Sequence, residues 1–189
     1  MKVIELLPDK STTKVVEISK PTPKNGEVLI KVAYSALDTA FEEVVRRTLI
    51  PGSLLHNLKV KPLVAGWHFS GTIESTAEDM RDLKIGDAVF GHLQYSGSTK
   101  QGTLAEYVTV PVSECAKVPD DIAMDTAAAV TSESLTALQG LRDQGRLTEG
   151  MSVLIIAAGG GVGTQGKERV HGTSSVQNLS SSLTYIDTT

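Results

Sequence analysis

Residues 153–164, VLIIAAGGGVGT, carry the strongest chemical signal in the chain. A short apolar run, Val153–Ile156, leads into a glycine-rich turn that is expected to open a helix. A pyrophosphate is bulky and doubly charged, so backbone N–H groups must approach it with no Cβ in the way. Glycine allows that approach, and a helix N-terminus adds partial positive charge. Gly160 and Gly163 stand at the spacing of the second and third glycines of a dinucleotide fingerprint. Ala158 takes the first position, and Gly161 and Val162 complete the loop. The plainer alternative is a flexible glycine turn between any strand and helix, because a glycine pattern alone is weak evidence. A dinucleotide site also wants a carboxylate or a basic residue about 20 residues further on, to read the ribose. Asp187 is near that distance, but the segment before it, SSSLTYID, is a poor strand with no intact helix preceding it.

The elements that must position this loop follow from periodicity. Val15–Ile18 and Glu27–Tyr34 are rich in β-branched residues and read as strands, separated by a break at Pro21, Pro23 and Gly26. Over 37–49 the period changes: Leu37, Phe41, Val44, Val45 and Leu49 share a helical face. Short strands return at 69–73, 88–90 and 105–110, punctuated by Gly86, Gly97 and Gly102, as in a closed or folded-over antiparallel sheet. Residues 122–145 look helical. Val153–Ile156 has the continuous apolar character of a strand buried on both faces of a parallel sheet. From 165 to 189 serine and threonine dominate and apolar residues are sparse, so this tail is expected to be mostly disordered.

Composition removes several function classes. Hydrophobic residues make up 40% of the 189-residue chain but aromatics only 4%, which implies an aliphatic core. The net charge of -4 leaves no basic excess for a phosphate backbone, which argues against nucleic acid as a partner. Cys115 is the single cysteine, so neither an internal disulfide nor a cysteine-rich zinc site can form. The opening MKVIELLPDK lacks a signal-peptide core, and no apolar run is long enough to span a bilayer. The expected location is cytoplasmic, with no membrane partner.

Ordered segments then carry a family likeness. PTPKNGEVLIKV at 21–32, SALD at 35–38, GWHFSGTI at 66–73 and KIGDAVFG at 84–91 are followed by GTLAEYVTVP at 102–111, SLTALQGL at 134–141 and GMSVLIIAAGGGVGT at 150–164. In that order they resemble the medium-chain dehydrogenase/reductase superfamily, on its zinc-independent quinone oxidoreductase (zeta-crystallin-like) and enone reductase side. The resemblance implies an α+β chain: a GroES-like antiparallel β-barrel over 1–121, then linker helices and the first strand and glycine loop of an incomplete Rossmann domain over 122–164. It implies NADPH or NADH as cofactor and a carbonyl or quinone as the small-molecule substrate, reduced by hydride transfer in a cleft between the domains. Zinc-using relatives place Cys, His and Cys at the positions of Ser35, Trp67 and Ser132. Serine is a poor zinc ligand and tryptophan is none, so no metal is expected. His68 next door is expected to be a polar residue near the domain surface. Thr136 matches a threonine beside the nicotinamide, although a helix-interior threonine also bonds its own backbone. Ser35 and Asp38 match the substrate side, although Asp38 is also suited to capping the helix after it. Tyr107 reads as a strand core aromatic.

The likeness stops after Thr164. Residues 165–189 are fewer than the ~30 that one further βαβ unit takes, and the strand at 153–156 is expected to lack neighbours. The expectation is therefore a truncated form with impaired or no activity. The alternative is a non-catalytic fragment or binding module, as a homo-oligomer or paired with a full-length relative.

Overall fold

The computed structural model describes residues 1–6, 13–37, 64–77, 82–93, 102–148, 151–171, 175–180 and 183–187, with side chains up to residue 167. The helix expected over 37–49 lies outside the described residues apart from Leu37. The chain divides into two compact units, Met1–Ala129 and Val130–Thr189.

The first unit is built on strands whose alternate residues are apolar. These are β1 (Lys2–Leu6), β2 (Thr13–Glu17), β3 (Glu27–Tyr34), β4 (His68–Thr76), β5 (Ala88–His92), β6 (Tyr107–Pro111) and β7 (Cys115–Lys117). Five of them form an antiparallel sheet in the order β6-β3-β4-β5-β7, and β1 pairs with β2. Val28 and Ile30 of β3, Phe69 and Ile73 of β4, Val89 of β5, and Val108 and Val110 of β6 point to one side and make the core. That is the period of two that a pleated strand imposes. The hairpin of β1 and β2 is sewn to the remainder through its backbone. Ile4 N–H donates to Leu104 O at 2.8 Å, and Ala65 N–H donates to Ile4 O at 3.2 Å. This folding-over of the sheet gives the barrel-like character expected from the many short strands.

A short helix, α1 (Met124–Ala129), covers the other side of the sheet. Ser70 Oγ, fully buried on β4, donates to Met124 O at 2.5 Å, and Ala127 and Ala128 are buried. This packing places Met124–Ala129 within the first compact unit. Alanine suits the place because small side chains let a helix lie close to a sheet.

The second unit starts with α2 (Thr131–Leu138), which runs into a π-helical turn, Gln139–Gln144. The single helical stretch expected over 122–145 is thus three pieces. β8 (Ser152–Ile156) then leads through the glycine turn into α3 (Gly161–His171), followed by β9 (Ser175–Ser180) and β10 (Leu183–Asp187).

Three expectations for this unit need correction. The strand at 153–156 does have a neighbour: β8 pairs antiparallel with β10, which pairs antiparallel with β9. Nor is β8 buried on both faces, because Leu154 is 56% and Ile156 74% exposed. The tail expected to be disordered contains the greater part of α3 and both β9 and β10. The physical reason lies in Leu183–Asp187, LTYID, whose β-branched and aromatic residues suit a strand. Paired with β8, it satisfies a ladder of backbone groups that sparse apolar burial alone would not hold.

Candidate functional site: the glycine turn and a hydroxyl pair

The glycine turn is held by its own backbone. Ala157 adopts φ 58°, a left-handed conformation that costs an L-residue roughly 1–2 kcal/mol. It turns the chain sharply at the end of β8. Gly160 N–H donates to Ala157 O at 2.9 Å, and Thr164 N–H donates to Gly160 O at 2.8 Å as the first bond of α3. Thr164 Oγ1 adds a bond to Ala158 O at 3.3 Å. The N–H groups of Gly161, Val162 and Gly163 therefore precede the helix's own ladder, at the end where the helix dipole is positive.

The glycines in this turn are required for different reasons. A Cβ on Gly163 would lie 2.4 Å from Ala157 O and 2.8 Å from Ala158 Cα, so only glycine lets the helix close on the turn. A Cβ on Gly160 would meet nothing nearer than Ala157 O at 3.3 Å. That contact is tight but needs a shift of only a few tenths of an ångström, so packing demands glycine less strictly at 160 than at 163. Gly166, a poor helix former, is buried against Ile155 of β8, where a Cβ would just reach Ile155 Cδ1 at 3.4 Å.

Around the turn, α2 packs on α3. Ser134 Oγ donates to Gln165 Oε1 at 2.8 Å. Glu133 lies against Gly161, where a Cβ would meet its Cγ at 2.7 Å and its Cδ at 3.7 Å. Glu133 also accepts a bond from Ser132 Oγ at 3.3 Å. Thr136 is exposed, and its Oγ1 donates to Ser132 O at 2.8 Å, one helical turn back. Ala158 is buried beneath the loop, whereas Gly160, Gly161 and Val162 are exposed.

In the first unit the positions matching metal ligands hold other chemistry. Ser35 Oγ and Thr103 Oγ1 are 2.7 Å apart, with Thr103 fully buried. Gly66, at φ +90°, closes over the pair: a Cβ there would meet Thr103 Oγ1 at 2.6 Å and Ser35 Oγ at 3.0 Å. Trp67 packs against the core cluster. His68 is not near the surface, as expected from sequence, but buried at 1% exposure. Its position on β4 pairs directly with His92 on β5, and the two rings meet edge to face with centroids 6.4 Å apart. Tyr107 is half-buried, with Lys20 Nζ 3.8 Å above its ring. Burial, then the charge of Glu114, pushes the Cys115 thiol up to about 12, which makes it a poor nucleophile at neutral pH. Asp38 lies outside the described residues. Among the described residues no group of three or more His, Cys, Asp or Glu could hold a metal ion, and no helix is long and apolar enough to cross a membrane.

Thr103, Gly66 and Glu133 are the site residues that sequence reasoning misses. Gly66 and Thr103 sit inside segments that carry the family likeness, which was the available signal. Glu133 has none, since its neighbour Gly161 is remote in sequence.

Residues 24–120 match the alcohol dehydrogenase GroES-like domain. The chain belongs to that family. It falls within the medium-chain dehydrogenase/reductase superfamily, among relatives of the quinone oxidoreductase kind. It is 36% identical over 143 residues to the human synaptic vesicle membrane protein VAT-1 homolog-like, a match that covers 76% of this chain and 31% of that protein. It is 31% identical over 170 residues to 2-methylene-furan-3-one reductase of Solanum lycopersicum, covering 87% and 42%. Among solved structures, the quinone oxidoreductase from Coxiella burnetii superposes with a TM-score of 0.75 at 28% identity, covering 89% of this chain and 52% of that one. A mycobacterial family member complexed with NADPH gives 0.73 at 28%, covering 90% and 50%. The matches thus span from 31% to 52% of the length of these relatives.

Proposed function

We propose that this chain is a zinc-free, cytoplasmic, NAD(P)H-dependent reductase-family member for quinones, enones or related carbonyls, and that alone it binds cofactor weakly and turns over little or nothing. The observation that carries the cofactor reading is the contrast within one loop. Gly163 is glycine because the fold demands it, whereas at Gly160, at the positive end of α3, a Cβ would meet a single neighbour, Ala157 O at 3.3 Å, a contact that a small shift relieves. The residues present fit a dinucleotide pyrophosphate: the N–H groups of Gly161, Val162 and Gly163 would hold it, with Ala158 buried beneath. Thr136 would contact the nicotinamide side, on condition that its hydroxyl leaves Ser132 O.

A bound nicotinamide supplies the hydride for such a reduction. The chain's own part on the substrate side falls to hydroxyls. Ser35 Oγ can donate to a carbonyl oxygen while accepting from Thr103 Oγ1, which stabilises developing negative charge as an oxyanion-hole donor does. Asp38 belongs to the same proposed substrate side through the family motif. The weak-binding part of the proposal rests on the ribose and nicotinamide contacts, which a single glycine turn does not supply. A partial site still bears the full cost of immobilising the ligand.

Calorimetric titration with NADPH tests the proposal. Weak binding that disappears in Gly163→Asp, with no quinone reduction above that control, is the expected result. Binding that survives Gly163→Asp would refute the loop as the phosphate seat. Sub-micromolar binding or clear turnover would refute the low activity.

A second reading, a non-catalytic module that pairs with a full-length relative, draws on the exposed Leu154 and Ile156 of β8, at the edge of the described β8-β10-β9 sheet. Co-expression followed by size-exclusion chromatography separates the two: a stable mixed complex supports pairing, and separate elution removes it.

A further inference from the structure

Glu133 lies where a phosphate-binding loop least tolerates a carboxylate. It is half-buried on α2, and its Cγ fills the place a Gly161 side chain would take at the first position of α3. Its carboxyl carbon is within van der Waals reach of that same point. The helix N-terminus attracts anions, and Glu133 supplies one from within the chain. Ser132 Oγ holds the carboxylate from the α2 side at 3.3 Å, and the bond from Ser134 to Gln165 keeps α2 and α3 in register beside it.

We infer that Glu133 is a built-in competitor for the phosphate seat, setting the affinity of the Gly160–Gly163 loop for a dinucleotide pyrophosphate by holding a carboxylate beside its positive end. The inference rests on the loop being that seat. A pyrophosphate entering the loop meets like charge at close range, so the Glu133 side chain must swing away from Gly161 or the ligand must bear the repulsion. The side chain has room to do so, since Glu133 is neither fully buried nor tied by more than one hydroxyl among the described contacts. The loop is therefore gated by a flexible side chain on a neighbouring helix, and phosphate affinity is tunable without altering any glycine.

The test is a titration of the full chain, labelled with 15N, with inorganic pyrophosphate and separately with NADPH. The amide shifts of Gly160, Gly161 and Gly163 are followed in wild type, Glu133→Gln, Glu133→Asp and Asp120→Asn. Glu133→Gln keeps the shape and removes the charge, and Asp120→Asn removes an equal charge from an exposed site in the other unit. Glu133→Gln is expected to bind pyrophosphate roughly five- to tenfold tighter than wild type, the scale of one like-charge contact in a partly screened environment. Asp120→Asn should change affinity less than about twofold, and the Glu133→Gln advantage should shrink as salt is added. Glu133→Asp, whose shorter side chain retracts the charge, should fall between wild type and Glu133→Gln. Equal affinity in wild type and Glu133→Gln, with the glycine amides shifting in both, overturns the inference and leaves the loop reading standing. The same gain in Asp120→Asn overturns it too. Glycine amides that shift in no variant overturn both.

Discussion

The two larger sheets among the described residues bury their apolar residues to very different degrees. In the five-stranded sheet, Val28, Ile30, Phe69, Val89, Val108 and Val110 are all completely buried, and α1 closes the opposite side. In the sheet of β8, β10 and β9, the alternating residues Leu154 and Ile156 face solvent. Both are antiparallel, and in both the strands are paired in defined register. The contrast shows that backbone pairing and apolar burial are separate conditions, and that the family's barrel meets both within its own residues. The glycine turn, by contrast, follows a strand whose register is set but whose exposed face contributes little burial.

The sharpest way to break the contrast is to truncate one apolar side chain in each sheet. Phe69→Ala should destabilise the first unit by about 3–5 kcal/mol, the usual cost of emptying an aromatic core site. Ile156→Ala should change the same transition by less than about 0.5 kcal/mol. Trp67, the only tryptophan, packs on the first-unit core, so its fluorescence in urea follows that unit. Similar costs for the two variants would mean that the exposed face of β8 is not what the structure shows.

A smaller effect comes from glycines. A Cβ on Gly91 would sit 2.0 Å from Glu114 O, a backbone atom that cannot turn aside, so Gly91→Ala should cost about 1–3 kcal/mol by forcing β7 off β5. Gly140, in the π-helical turn of the second unit, meets nothing within 4 Å, and Gly140→Ala should stabilise by roughly 0.5–1 kcal/mol. Thermal melts of the two variants are expected to move in opposite directions.

The smallest is electrostatic and confined to the first unit. The Lys117 ammonium, 3.0 Å from Asp87 Oδ2, and then the Lys84 N–H hold the Asp87 carboxyl below its ordinary range. A carboxylate depressed in the folded state stabilises above its unfolded pKa and loses that contribution as pH falls through the folded value. Asp87→Asn should therefore lower Tm at neutral pH and converge with wild type in acid. A constant offset across pH would show that the pair has no titrating role.

Much of the first unit is legible in the residues alone. β3 is expected and found at Glu27–Tyr34, and the strands around 69–73, 88–90 and 105–110 appear with ends displaced by a few residues. Alternation fixes these because one face must be buried. The glycine turn is legible too, since a strand, three consecutive glycines and a helix start occupy one short segment. What could not be read is partnership. VLII marks a strand but says nothing about the direction of its neighbour, and here the neighbour is LTYID, antiparallel and downstream. His68 shows the same gap: a lone histidine gives no sign that its position faces another histidine across a ladder. Glu133 at Gly161 depends on how two helices pack, which no local pattern encodes.

The missing side chain at Gly66 is what the Ser35–Thr103 pair depends on. The two hydroxyls lie 2.7 Å apart, and a Cβ at residue 66 would press on both of them, at 2.6 Å from Thr103 Oγ1 and 3.0 Å from Ser35 Oγ. The φ of +90° at residue 66 adds a second reason for glycine, since side-chain-bearing residues rarely adopt it. Gly66 is thus a keystone by omission: the bond between two hydroxyls 68 residues apart in sequence persists because a third residue has nothing to put between them.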